Sequence, residues 1–107
     1  MVAKLKSAAA VDLKRGDNEV YVIADTSGGA KLSEITLANK TSAQITITVK
    51  IYKSSIDENV TLIPSIALLA NEGKIIGLST ILETGDKIIV TSNTSNSVDV
   101  LISAIEL

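Results

Sequence analysis

The segment Gln-Ile-Thr-Ile-Thr-Val-Lys-Ile-Tyr at residues 44–52 decides the fold class, because apolar and polar side chains alternate along it. Ile45, Ile47, Val49 and Ile51 fall on one side of an extended chain, and polar side chains lie between them. A period of two is typical of a strand that buries one face and exposes the other. The stretch therefore predicts a half-buried antiparallel strand.

Residues 32–39 predict the hairpin partner of that strand. This segment alternates through Ile35 and Leu37, and the turn-forming residues 39–42 separate it from the next strand. Further strands are predicted at residues 2–5, 19–24, 60–64, 74–79, 86–92 and 98–105. Turn clusters rich in Gly, Asn, Asp and Ser are predicted at residues 14–18, 25–29, 54–59, 83–86 and 92–97. Residues 65–73 could form a single helical turn, but Pro64 and the short length favour an extended connection.

The composition supports the same fold class. Ile, Val and Thr together make up 34 of the 107 residues, and their branched side chains suit a pleated sheet better than a helix. Eight short strands broken by such turns predict an all-β fold, an antiparallel β-sandwich similar to a jelly roll. The length fits one domain, so we expect an N-terminal arm or short first strand over 1–10 and a single sandwich domain over 11–107.

The amino-acid inventory excludes most kinds of reactive site. The chain has no Cys and no His, so thiolate nucleophiles, imidazole bases and Cys- or His-ligated zinc are ruled out. No spacing of its carboxylates singles out an acid–base pair or the ligand loop of a calcium site. A net charge of −2 with two aromatic residues offers nucleic acid no basic stripe, and no apolar run is long enough for a membrane span. We therefore expect no catalytic activity, cofactor, metal, nucleic acid or membrane partner.

Two short motifs carry little functional weight. Arg15-Gly16-Asp17 matches the tripeptide of integrin ligands, but three residues recur by chance and Gly-Asp-Asn is ordinary turn sequence. Sequons begin at Asn39, Asn59 and Asn93. Because the N-terminus lacks the apolar run of a signal peptide, they are attributed to the Ser-, Thr- and Asn-rich composition.

Two predicted strands are apolar on both faces. Residues 74–78 and 98–105 do not alternate cleanly, so an apolar side is left over where a two-layer sandwich should expose polar groups. Such a surplus is covered either by the centre of the sandwich or by another copy of the chain. On the second interpretation, the residues predicted to mediate self-association are Ile75, Ile76, Leu78, Leu101 and Ile105.

The C-terminal half resembles a known class of proteins. Residues 82–90 have the pattern L-x-x-G-D-x-I-x-V, followed by a Ser/Asn/Thr loop and a closing strand over 98–106. Upstream lie Tyr21-Val22 and the pattern L-x-N-x-T-S-x-x-x-x-I-x-V over 37–49. From about residue 19 to 107 this order resembles small virion structural proteins of tailed bacteriophages. One departure is the sequence Ala-Asp-Thr-Ser-Gly-Gly at 24–29, where such proteins often have Pro-Ala-Gly.

The resemblance implies a non-enzymatic β-sandwich located in the virion, assembled in the host cytoplasm and not secreted through a signal peptide. Its implied partners are copies of itself, with a trimer favoured, and a major capsid or tail protein. A capsid decoration (cement) protein is the first expectation, and a neck, baseplate or tail-fibre component is the alternative.

Two further hypotheses come from other functional classes. A carbohydrate- or receptor-binding module would stack sugars on Tyr21 or Tyr52, since these are the available aromatic rings. An enzyme acting through carboxylates is the third possibility, although no pair of them is singled out by its spacing.

Overall fold

The computed structural model describes residues 3–24 and 28–107, and every regular element in them is a β-strand. Alternating apolar residues and turn clusters divide these residues into eight strands, as predicted. The strands are β1 (Lys4–Ala10), β2 (Gly16–Val22), β3 (Ala30–Asn39), β4 (Ile45–Lys53), β5 (Glu58–Leu68), β6 (Gly73–Leu82), β7 (Lys87–Ser92) and β8 (Val98–Glu106). No helix in this part of the chain could cross a membrane.

The strands form two four-stranded antiparallel sheets. The first sheet has the order β1-β8-β3-β6 and the second has the order β2-β7-β4-β5. Each sheet therefore combines strands that are distant in sequence, as expected when two Greek keys wrap into a double-sheet jelly roll. The predicted all-β, jelly-roll-like sandwich is confirmed.

The core lies between the inner faces of the two sheets. The four apolar residues of the 44–52 segment are buried on β4, and Leu32, Ile35 and Leu37 are buried on β3 of the opposite sheet. Side chains at alternate positions fill this layer, because successive side chains of a strand point to opposite faces. Each strand of the first sheet is thus left with an outward-facing set of residues.

Three segments differ from the sequence-based expectation. β5 continues through Pro64 to Leu68, so the first part of the extended connection predicted at 65–73 belongs to a strand. Proline is tolerated there because β5 is an edge strand. Residues 16–18 of the predicted 14–18 turn belong to β2, which begins at Gly16 with a φ of 101°. β1 runs from Lys4 to Ala10 and pairs with β8 along its length, so these residues form an edge strand of the sandwich.

Parts of two predictions lie outside the described residues. Met1 and Val2 are part of the arm or short first strand predicted over 1–10, and Val2 is the predicted start of a strand over 2–5. Residues 25–27 are part of the turn predicted at 25–29 and of the segment 24–29 that departs from the phage pattern.

Candidate functional site

The outward face of the first sheet is the candidate functional site, and β8 shows how the sequence builds it. Val100, Ile102 and Ala104 are buried in the core. Because side chains alternate along a strand, Leu101, Ser103 and Ile105 point away from the core.

The strand register arranges this face in rows that cross the sheet. Residues directly opposite each other in an antiparallel pair lie on the same face. Row 1 contains Leu5, Ile105, Lys31 and Ile81; row 2 contains Ser7, Ser103, Glu34 and Gly77; row 3 contains Ala9, Leu101, Thr36 and Ile75. Rows 1 and 3 therefore carry the large apolar side chains, and row 2 carries small or polar ones.

Rows 1 and 3 expose a large apolar surface. Leu5 is 87% exposed, Ile75 69%, Ile81 66% and Leu101 46%. Single exposed apolar residues are common on protein surfaces, but four on one face, arranged in two rows, make a patch of the kind that marks an interaction site.

The outward face of the second sheet is built differently. Asp17 accepts a hydrogen bond from the Thr91 hydroxyl at 2.6 Å and pairs with Lys50 at 3.3 Å. The Thr91 hydroxyl and the Lys50 ammonium together hold the pKa of Asp17 below its ordinary value. Lys87 pairs with Glu19 at 3.1 Å on the same face. The two outward faces therefore differ, because the second sheet carries two ion pairs whereas rows 1 and 3 of the first sheet expose four large apolar side chains.

Two charged residues interrupt the apolar face near its centre. Lys31 and Glu34 lie on β3, in rows 1 and 2, and a bulge between Leu32 and Glu34 turns Glu34 outward. Within residues 3–24 and 28–107, neither Lys31 nor Glu34 forms an ion pair. These two opposite charges on one strand are thus available to a partner molecule.

The residues predicted to mediate self-association lie on two different faces of the first sheet. Ile75, Leu101 and Ile105 lie together on the outward face, in rows 1 and 3. Ile76 and Leu78 are half-buried and pack against the core. The apolar character of β6 and β8 on both faces thus has two origins, the core on one side and the outward patch on the other. Self-association itself stays a prediction.

A cavity of about 630 Å³ continues the apolar face beyond row 1. Lys31, Ile81 and Ile105 line one side of it, and the turns after β4 and β6 line the other. A shallower depression of about 360 Å³ lies between β1 and β8, with Leu5, Ser7 and Ser103 on its walls. The face is therefore uneven, and the side chains of a partner could enter it.

The two tyrosines do not form a common platform for a sugar. Tyr21 pairs with buried Ile88, is half-buried, and donates a hydrogen bond to Glu106. Burial and the Glu106 carboxylate raise its pKa. Tyr52 points to the opposite side of the second sheet, donates to Asp57, and has Lys87 over one face of its ring.

Asp86 is a fully buried carboxylate whose contacts are structural. It accepts hydrogen bonds from the Lys53 ammonium at 2.5 Å, from Ser54 N at 3.0 Å and from Glu83 N at 2.8 Å. Burial raises its pKa, but these donors outweigh burial and hold the pKa below its usual range. The Gly-Asp of the L-x-x-G-D pattern thus joins the turn after β6 to the turn after β4.

Asn39, the start of the first sequon, has a similar structural role. Its buried amide donates to the carbonyl oxygens of Ala43 at 2.8 Å and Leu69 at 3.0 Å, while its own oxygen accepts from Thr41 N at 2.9 Å. The sequence predicted a turn here but not this link between two loops. The sequence signal that could have indicated this role is the Asn-x-Thr spacing, which lets both side chains form hydrogen bonds within the turn.

The remaining motifs show no reactive arrangement. Asp17 of Arg15-Gly16-Asp17 lies within β2 and is bonded to Thr91 and Lys50, so the tripeptide is not displayed on a loop tip. In the described ranges no three acidic side chains come together in a way that could hold a metal ion.

No known protein family and no curated protein matches the sequence. Among solved structures, the acid-stable capsid of Helicobacter pylori bacteriophage KHP30 superposes with a TM-score of 0.67 and 13% identity, over 100% of this chain and 89% of that one. A chain of the T13 particle of infectious bursal disease virus superposes with a TM-score of 0.60 and 7% identity. That superposition spans 97% of this chain but only 30% of the viral chain.

The fold is not confined to viral particles. The Eiger TNF of S. frugiperda superposes with a TM-score of 0.54 and 11% identity, over 96% of this chain and 92% of that one. At such identities the likeness establishes a shared β-sandwich fold, and function must be argued from the surface.

Proposed function

We propose that this chain is a structural protein of a phage virion, a capsid decoration protein that binds copies of itself and the major capsid protein. The observation that carries the proposal is the difference between the two outward faces. Rows 1 and 3 expose Leu5, Ile75, Ile81 and Leu101, whereas the outward face of the second sheet carries two ion pairs. A face of this kind is suited to being covered in an assembly.

The energetics favour association as the role of this face. Covering a patch of about 400 Å² contributes on the order of 10 kcal/mol at about 25 cal/mol per Å², before the costs of association are subtracted. Binding through shape and apolar area requires no reactive side chain. The inventory of the chain, without Cys or His, agrees with such a role.

Two independent observations support the viral setting. The sandwich superposes on capsid chains of a bacteriophage and of an animal virus, although sequence identity is low. The L-x-x-G-D pattern of residues 82–86, which builds the Asp86 turn, occurs in the order typical of small tailed-phage virion proteins. The fold supports a virion role, and the exposed patch supports assembly.

The experiment that tests this function examines virus particles from the source of the sequence. Particles purified on a density gradient are analysed by quantitative mass spectrometry and labelled with antibody against this chain. We expect many copies in the particle and label distributed over the head. Label confined to the neck, baseplate or fibres would favour the tail alternative, and absence from particles would overturn a virion role.

A binding assay tests whether assembly on the particle requires the outward face, either through self-association or through contact with the capsid. Purified chain is sedimented together with particles that lack it, using Leu101→Lys on the first sheet and Thr46→Lys on the second. Both positions point outward, so each variant adds one lysine to a different face. We expect Leu101→Lys to abolish co-sedimentation and Thr46→Lys to retain it.

A further inference from the structure

We propose that the outward face of the first sheet pairs with the same face of a second copy, about a two-fold axis between rows 1 and 2. This pairing rests on the self-association included in the proposed function. The axis lies parallel to the sheets and perpendicular to the strands. It places each strand over its own counterpart and exchanges row 1 with row 2.

Charge complementarity is the first argument for this arrangement. Lys31 is in row 1 and Glu34 is in row 2, on the same central strand, and neither forms an ion pair within the described residues. Exchanging the rows brings Lys31 against Glu34 of the second copy, and the symmetry repeats the pair. Both charges that interrupt the apolar face are then neutralised by one operation.

Side-chain size is the second argument. Row 1 carries Leu5, Ile105 and Ile81, and row 2 carries Ser7, Ser103 and Gly77 on the same three strands. The exchange therefore places large side chains over small ones on β1, β8 and β6. Packed sheets lie about 10 Å apart only when their side chains interdigitate, which this alternation permits.

The pairing also brings an apolar residue of row 3 against an apolar residue of the second copy. The same operation moves Leu101 over Leu107 of the second copy, since these residues are equally distant from the axis along β8. Leu107 is more than half exposed in the single chain. Leu101 of row 3 is thereby covered together with the large apolar side chains of row 1.

The area fits a weak, transient dimer. Four strands about 4.8 Å apart overlap over about six residues each, which gives ~400 Å² per copy, or ~800 Å² for the pair. That is the size of weak and transient interfaces. A face that pairs with itself closes at two copies, whereas the trimer expected from the sequence requires two different surfaces.

A charge-swap experiment tests the pairing. Sedimentation equilibrium from about 1 to about 100 µM should show the wild-type chain, of 11.2 kDa, associating to twice that mass. Lys31→Glu and Glu34→Lys should each raise the dimer Kd about tenfold or more, because they bring like charges together. The double swap should restore the Kd to within about threefold of wild type. Lys14→Glu and Glu58→Lys, at exposed sites away from this face, are the matched controls.

A steric variant tests the same axis without changing charge. A Cβ at Gly77 would meet no neighbouring atom of its own chain within 4 Å, but the proposed pairing places Ile81 of the second copy above it. Gly77→Leu should therefore raise the Kd about tenfold while leaving the unfolding midpoint unchanged.

Three outcomes would overturn the two-fold pairing: a monomer at the highest concentration, a trimer, or a dimer that the double swap does not rescue. These measurements use the purified chain alone. They are therefore independent of the particle experiment, whose failure would overturn the proposed function instead.

Discussion

Leu101 and Ile102 are consecutive residues of β8 that point to opposite sides of the first sheet. Ile102 is completely buried between Ala8 and Ile35, its neighbours on the adjacent strands. Leu101 is nearly half exposed and lies in row 3 beside Thr36. One apolar sequence therefore supplies both the core and the outward patch, and the two contributions can be separated by mutation.

We expect Leu101→Lys to affect self-association and Ile102→Lys to affect stability. Leu101→Lys should change the free energy of unfolding by less than about 1 kcal/mol, because the position is at the surface, yet it should abolish self-association. Ile102→Lys should cost about 4 kcal/mol or more, because it buries an unpaired charge in the core. Urea denaturation followed by circular dichroism measures stability, and sedimentation equilibrium measures association. Equal destabilisation by the two variants would contradict the placement of Leu101 on an outward face.

Removing the Asp86 carboxylate should destabilise the sandwich. Asp86→Asn leaves the Lys53 ammonium without its buried partner and sets an amide among hydrogen-bond donors, at a cost of about 3 kcal/mol. Glu83→Gln is the matched control, since Glu83 also pairs with Lys53, at 3.0 Å, but its side chain is exposed. That variant should cost less than about 1 kcal/mol by urea denaturation.

The Asp86 contribution should also depend on pH in a defined direction. Its folded pKa lies below the ordinary value, so its ionised form stabilises the fold above the unfolded pKa of about 3.9. This stabilisation is lost as the pH falls through the unfolded pKa toward the folded one. The difference in unfolding free energy between wild type and Asp86→Asn should be constant from about pH 8 to about pH 5.5 and should shrink below about pH 4. A difference that grows on acidification would mean that the pKa is raised.

The fold class was predictable from sequence because its main signals are local. Alternation over 44–52 and the turn clusters depend on residues that are neighbours in the chain. β1 was harder to predict, because Ser7, Ala8 and Ala9 have little intrinsic preference for strands and become a strand by pairing with β8. The extension of β5 through Pro64 is likewise imposed by its position at a sheet edge.

The candidate site was only partly predictable. Composition showed that 74–78 and 98–105 had apolar residues to spare, but it could not say which of Ile75 and Ile76 faces outward. That depends on the strand register, which is fixed by contacts between strands far apart in sequence. Lys31 and Glu34 were missed because their meeting on one face requires the bulge in β3.

The buried side chain of Asn39 should contribute more to stability than an exposed Asn in the same kind of sequon. Asn39→Ala removes an amide that bonds Ala43 and Leu69 and an oxygen that bonds Thr41 N, so we expect a loss of about 2–3 kcal/mol. Asn59→Ala is the control, because Asn59 is exposed on β5, and it should change stability by less than about 0.5 kcal/mol. Similar losses in urea denaturation would show that Asn39 does not join the two loops.

Gly85 and Gly77 provide a matched pair that tests the Asp86 turn. Gly85 has a φ of 88°, and a Cβ there would lie 3.1 Å from both Cβ and Oγ of Ser54. The Ser54 hydroxyl cannot move aside freely, because its one hydrogen is shared between Thr84 O at 3.0 Å and Asp86 Oδ1 at 3.1 Å. The positive φ alone should make Gly85→Ala cost about 1–2 kcal/mol of unfolding free energy, which lowers the Tm by roughly 5–15 °C. The contact with Ser54 adds to this cost.

Gly77→Ala should instead leave the Tm unchanged or raise it slightly. The added methyl meets nothing within 4 Å of its own chain, and alanine restricts the unfolded chain more than glycine does. Thermal unfolding followed by circular dichroism, at a concentration where the chain is monomeric, separates the two effects. Equal losses from both variants would contradict the tight turn, because of these two glycines Gly85 has a positive φ and a close neighbour and Gly77 has neither.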